Sequence, residues 1–111
     1  MKSIREIIGR FRSRNHAQLE ATAVMEKNDL VLSASLPDGE LVVFNAGDRR
    51  SYLLNLTASE VFSRIDGAQN INEIALSIHG QYDSDIDMIT RDVKILIEDF
   101  FNKRIVSHVR P

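Results

Sequence analysis

Hydrophobic positions along this chain change rhythm twice. Near the N-terminus Ile4, Ile7, Ile8 and Phe11 recur at i, i+3, i+4 and i+7, the spacing of one helix face, with the arginines mainly off that stripe. Three short apolar runs follow: Leu30 to Ser35, Leu41 to Phe44 and Ser51 to Leu54. Pro37-Asp38-Gly39 and Asn45-Ala46-Gly47-Asp48 separate them, and both are turn sequences. Short strands joined by short turns predict an antiparallel meander.

Helical spacing then returns three times. Ala58, Val61, Phe62 and Ile65 share one face; Ile71, Ile74, Ala75 and Ile78 share a second. Ile86, Ile89, Val93, Leu96, Ile97 and Phe100 mark a long third helix reaching about Lys103. Thr57 and Glu60 read as a capping box for the first, with Leu56 and Val61 as its hydrophobic staple and Gly67 at its C-terminus. Asn70 and Glu73 mark the second start, and Ser84 or Asp85 caps the third. Tyr82 packs in the connection, and Ile105 to Val109 forms a short final extended segment. The layout is α+β: a three-stranded antiparallel sheet followed by three helices on one face, resembling a winged helix, with an extra basic amphipathic helix at the N-terminus.

A length of 111 residues sets one domain as the expectation. Residues 1–27 read as a basic, partly helical extension, in which Asn15 to Lys27 is a joining stretch containing helix formers such as Leu19 and Met25. Residues 28–111 read as the domain proper. Charge sharpens this division: Met1 to Arg14 carries Lys2, Arg5, Arg10, Arg12 and Arg14 against Glu6, whereas the chain as a whole is at −2. The remainder is therefore acidic.

With no cysteine in the sequence, disulfides, thiolate metal sites and a cysteine nucleophile are excluded. No apolar run approaches the roughly 20 residues that span a bilayer, and no secretory signal is present, so a cytoplasmic setting is expected. The acidic run Asp83-Ser84-Asp85-Ile86-Asp87 begins like a calcium loop. It has Met88 where glycine is needed and Lys94 where the bidentate glutamate is needed, and helix capping explains the acids. His16, His79 and His108 stand far apart with no catalytic or ligand spacing. No cofactor, metal or catalytic group is expected, so an enzyme is the weakest reading.

A duplex-binding winged helix needs basic groups on its recognition surface. The long helix instead places Asp85, Asp87, Asp92, Glu98 and Asp99 against Arg91, Lys94 and Lys103, so nucleic acid is not expected as a partner. The basic N-terminal helix suits a protein partner, the domain itself, a second copy or weak peripheral contact with an anionic membrane. The third strand ends the meander as a sheet edge, which a peptide can extend by adding a strand. A proline at Tyr52 is the natural probe of that edge. Met88 and Ile95 lie off the main apolar face of the long helix, near Arg91, Asp92 and Asp99. They could line a groove or meet the N-terminal helix.

Leu54, Asn55, Thr57, Ala58, Val61, Phe62, Asp66, Gly67, Ile71, Ile74, Tyr82 and Asp83, in this order and spacing, resemble coenzyme PQQ synthesis protein D (PqqD) and its relatives over roughly Leu30 to Val106. The resemblance implies a RiPP recognition element: a non-catalytic peptide chaperone that binds the leader of a ribosomally made precursor as an added strand. Its further partner would be a separate modifying enzyme, such as a radical SAM protein. Carried over by element, the peptide-binding residues would be Arg50, Ser51, Tyr52 and Leu53 on the third strand, with Met88, Arg91, Asp92, Ile95 and Asp99 on the long helix. Asn55, Asp66 and Gly67 would be turn and cap positions. A regulatory or nucleic-acid-binding winged helix and an adaptor working through the basic N-terminal helix are the alternatives.

Overall fold

The structure is a computed structural model that describes residues 19–109. The expected N-terminal helix around Ile4 to Phe11 lies outside those residues. The described chain runs β1 (Met25–Lys27), β2 (Val31–Ser35), β3 (Leu41–Asn45), β4 (Arg50–Leu54), α1 (Leu56–Ser63), α2 (Ile71–Ile78), a 3₁₀ turn (His79–Gln81), α3 (Ile86–Asn102) and β5 (Val106–His108). The meander and the three helices stand where the hydrophobic rhythm places them. Strands β2, β3 and β4 form an antiparallel sheet in that order, with Val43 opposite both Ser33 and Tyr52.

One pairing was not anticipated. Met25, expected among helix formers, sits in β1 and pairs antiparallel with β5, opposite His108. Leu19 and Met25 are buried in the same core as the helices. A three-residue strand has too little alternation to announce itself; its partner lies some eighty positions away, so only folding brings the two together.

The helices bury the stripes their periodicity predicts. Val61 and Phe62 from the first, with Ile65 just past its end, meet Ile71, Ile74 and Ile78 from the second and Ile89, Val93, Ile97 and Phe100 from the third. Phe62 and Phe100 pack edge to face, with ring centroids 5.7 Å apart. The helix starts are set by side chains. Asn70 and Glu73 form a full capping box, and Asp85 Oδ1 accepts from the Met88 N–H.

The start of α1 differs from the expectation. Asn55 is its N-cap, accepting from the Ala58 N–H, and Thr57 is already helical and buried. Glu60 instead faces Arg64 at 3.8 Å, and Leu56, the expected staple residue, is exposed. Beginning the helix at Leu56 has a structural consequence. It brings Ser59 under the sheet, where its hydroxyl donates to the Leu54 carbonyl and accepts from the Leu41 N–H.

Candidate functional site

Hydrogen bonds at the ends of the strands fix which main-chain groups face which neighbour. The Leu36 N–H donates to Glu40 O and the Ala46 N–H to Leu30 O. Even-numbered residues of β3 therefore turn toward β2 and odd-numbered ones toward β4, because main-chain groups alternate in direction along a strand. Leu41, Val43 and Asn45 then face Leu54, Tyr52 and Arg50 across the β3–β4 ladder. The Ser59 hydroxyl bridges the first of these pairs, Leu41 and Leu54. It follows that the N–H and C=O of Ser51 and Leu53 point out of the sheet. Among the described residues no strand lies against this outer edge of β4.

Side chains divide the other way. Val43 is fully buried on the helix-facing side of the sheet, so its cross-strand partner Tyr52 lies on that side, together with Arg50 and buried Leu54. Leu53 is on the opposite face and 62% exposed. Of the four strand residues expected to bind, Arg50 and Tyr52 can offer side chains toward α3, while Ser51 and Leu53 offer main chain.

Two adjoining hollows run beside this edge. Leu53, Leu54, Asn55 and Ala58 form one wall of the first; Leu96, Asp99, Phe100 and Lys103 of α3 form the other. Its floor is apolar, since Leu96 and Phe100 are buried. The second hollow lies toward the start of β4 and is polar, lined by Asp48, Arg50, Tyr52, Asn102, Lys103 and Arg104. Lys103 belongs to both. Its Nζ is 2.6 Å from Asp99 Oδ2 and 5.2 Å from the centroid of the Tyr52 ring, a contact worth about 0.5–1 kcal/mol at a partly exposed site.

The α3 residues expected at the site separate here. Asp99 lines the first hollow. Met88, Arg91, Asp92 and Ile95 are not among the residues that line either hollow. They lie one to three turns nearer the helix N-terminus, Met88 roughly 16 Å from Asp99 along the axis at 1.5 Å per residue. Arg91 is exposed, Met88 and Ile95 are half-buried, and Asp92 is only 2% exposed, so its carboxylate is not presented to solvent. Asn102, Lys103 and Arg104 also line the polar hollow but are not among the expected residues; the two cations already have an explanation in the helix dipole. The i,i+4 spacing of Asp99 and Lys103 was the available signal.

A family model for coenzyme PQQ synthesis protein D (PqqD) matches residues 40–106, more than half of the chain and the span that holds both walls of the groove. The chain belongs to the PqqD family. Among solved structures, "TbiB1 in Complex with the TbiA(beta) Leader Peptide" matches with a TM-score of 0.68 and 23% identity, covering 74% of this chain and 94% of that one. "Lasso peptide synthetase B1 complexed with the leader peptide" matches with a TM-score of 0.68 and 16% identity, covering 77% and 99%. At these identities the likeness is one of fold. No curated protein matches the chain significantly.

The Asn-Leu-Thr and Asp-Gly elements of this PqqD-family chain serve its scaffold. Asn55 caps α1 and also reaches the rim of the first hollow. Asp66 Oδ1 accepts from the N–H groups of Ala68 and Gln69, which hold its carboxyl below the ordinary 3.8. Gly67 does not close α1, which ends at Ser63. It adopts φ 80° three residues beyond the Arg64 C-cap, and its N–H donates to Met25 O, tying this turn to β1. Among the described residues no helix is long and apolar enough to cross a membrane.

Proposed function

We propose that this PqqD-family chain is a RiPP recognition element: a non-catalytic domain that binds the leader of a ribosomally made precursor peptide and presents it to a separate modifying enzyme in the cytoplasm. The observation that carries the reading is the outer edge of β4, where Ser51 and Leu53 direct main-chain donors and acceptors beside an apolar hollow. An extended peptide on that edge would form main-chain hydrogen bonds with both residues and place alternate side chains toward α3. Leu54, Leu96 and Phe100 would receive an apolar anchor, while Tyr52, Asp99 and Lys103 would frame it. The two solved structures named above hold leader peptides on the same fold, which supports this choice among the occupants of a sheet edge.

The test is an amide-shift titration of full-length labelled protein with a synthetic peptide covering the leader of a precursor encoded beside its gene. The expected result is perturbation concentrated at Ser51, Leu53 and the Leu96 to Lys103 stretch. Shifts confined to the N-terminal residues, with none along β4, would instead favour the adaptor reading.

A further inference from the structure

Three of the eight lysines and arginines between residues 19 and 109 line one end of the groove, Arg50, Lys103 and Arg104, and a fourth, Arg49, adjoins Arg50 in the chain. The same span holds fifteen acidic residues, of which only Asp48 and Asp99 stand among these cations. An acidic domain thus concentrates positive charge beside the start of β4.

The backbone makes this gathering more telling. Among the described residues the non-glycine positions at positive φ are Arg49 at 61° and Arg104 at 62°. Glycine adopts that conformation without penalty, and a helix commonly ends on glycine at the position Arg104 occupies. Both are arginines and both are exposed; Arg104 lines the polar hollow, and Arg49 stands in the chain between two of its lining residues, Asp48 and Arg50. Burial does not account for either side chain.

We infer that the polar end of the groove selects leader peptides carrying an aspartate or glutamate four positions from their apolar anchor. This rests on the reading that a peptide strand occupies the β4 edge. The spacing follows from strand geometry. Leu54 lines the apolar hollow and Arg50 the polar one, four residues apart on the same face of β4. A strand added in register repeats that spacing, and residues four apart point to the same side. The residue that faces Leu54 meets the apolar floor; the residue that faces Arg50 meets the cations. Arg50 and Arg104 can each donate in a fork to a carboxylate, which Lys103, already held by Asp99, does less well.

The experiment is a selection of randomised 15-residue peptides displayed on their own mRNA, against the full chain and against an Arg50→Gln, Arg104→Gly double variant. Glycine suits the Arg104 backbone, so the second substitution removes the side chain without straining the fold. Selected peptides are placed on the protein by amide shifts. The expected outcome is an apolar residue with Asp or Glu four positions away. Exchange of that acid for its amide should weaken binding roughly fivefold, and the double variant should lose the acid preference while keeping the anchor. Peptides that perturb Ser51 and Leu53 but show no acid at that spacing would overturn this inference and leave the peptide-binding reading standing. Selected peptides that nowhere perturb β4 would overturn both.

Discussion

The side-chain amide of Asn45 donates to the carbonyl oxygen of Arg104 at 2.8 Å, joining the end of β3 to the residue just past the Lys103 C-cap of α3. Asn45 is 3% exposed, and its own Oδ1 accepts from the Gly47 N–H at 2.8 Å. Asn28 donates to the same Arg104 carbonyl at 3.1 Å. Beyond the helix, the Arg104 N–H donates to Phe101 O and the Ile105 N–H to Phe100 O, the two bonds of a Schellman motif. These bonds tie the C-terminal end of α3 to the end of β3, the strand beside β4.

Asn45→Ala removes a buried donor and acceptor together; the Gly47 N–H loses this partner and the Arg104 carbonyl keeps only the longer bond from Asn28. A loss of about 1–3 kcal/mol is expected, read as an earlier midpoint in urea denaturation. Asn45→Asp keeps the acceptor for Gly47 but places a carboxylate against the Arg104 carbonyl, so it should be no better tolerated than alanine.

Arg104→Gly should stabilise the protein. Glycine relieves the left-handed strain, which exceeds the entropy it adds to the unfolded chain. The expected gain is roughly 0.5–1 kcal/mol, seen as a melting temperature a few degrees higher. A residue whose removal stabilises the fold while weakening peptide binding would be serving the site rather than the scaffold.

Proline separates the two directions of β4. The Leu53 N–H points out of the sheet, so Leu53→Pro should leave the protein folded, as edge positions tolerate proline, and abolish binding of a strand-adding peptide. The Tyr52 N–H faces Val43 across the ladder. Tyr52→Pro should therefore destabilise by about 1–3 kcal/mol and report on folding, not on the edge. Circular dichroism melts alongside the peptide titration distinguish the two.

The Asp66 turn predicts a pH effect. Its carboxyl is held below the ordinary 3.8 by the N–H groups of Gln69 and Ala68. The folded chain thus binds this proton less readily than the unfolded chain. The stabilisation is present above pH 3.8 and is lost as pH falls through the lowered folded value. Asp66→Asn should reduce the stability difference between pH 6 and pH 3, measured by urea denaturation at both.

Local chemistry was enough to place most elements. The stripes of α1, α2 and α3, the turns at Gly39 and Asp48, and the caps at Asn70 and Asp85 all depend on residues within one or two helical turns of each other. The Thr57 reading failed because two capping side chains, Asn55 and Thr57, compete at one helix start. The contact that resolves them is Ser59 with Leu41 and Leu54, which is tertiary. Strand β1 escaped for a related reason, since Met25 becomes a strand residue only by meeting His108.

The site shows the same division. The sequence by itself determined that β4 would end a meander and that a long helix would follow, because alternation and helical period are properties of neighbouring residues. Only the tertiary structure decided that Ser51 and Leu53, not Tyr52, face outward, since that parity is set by hydrogen bonds to β3. It also decided which turn of α3 lines the two hollows beside β4. Met88, Arg91, Asp92 and Ile95 share a helix with Asp99 and Lys103, but the Asn45 to Arg104 bond anchors the far end of that helix beside β4. A helix places its residues relative to one another; which of them reach a neighbouring strand depends on where the helix is held.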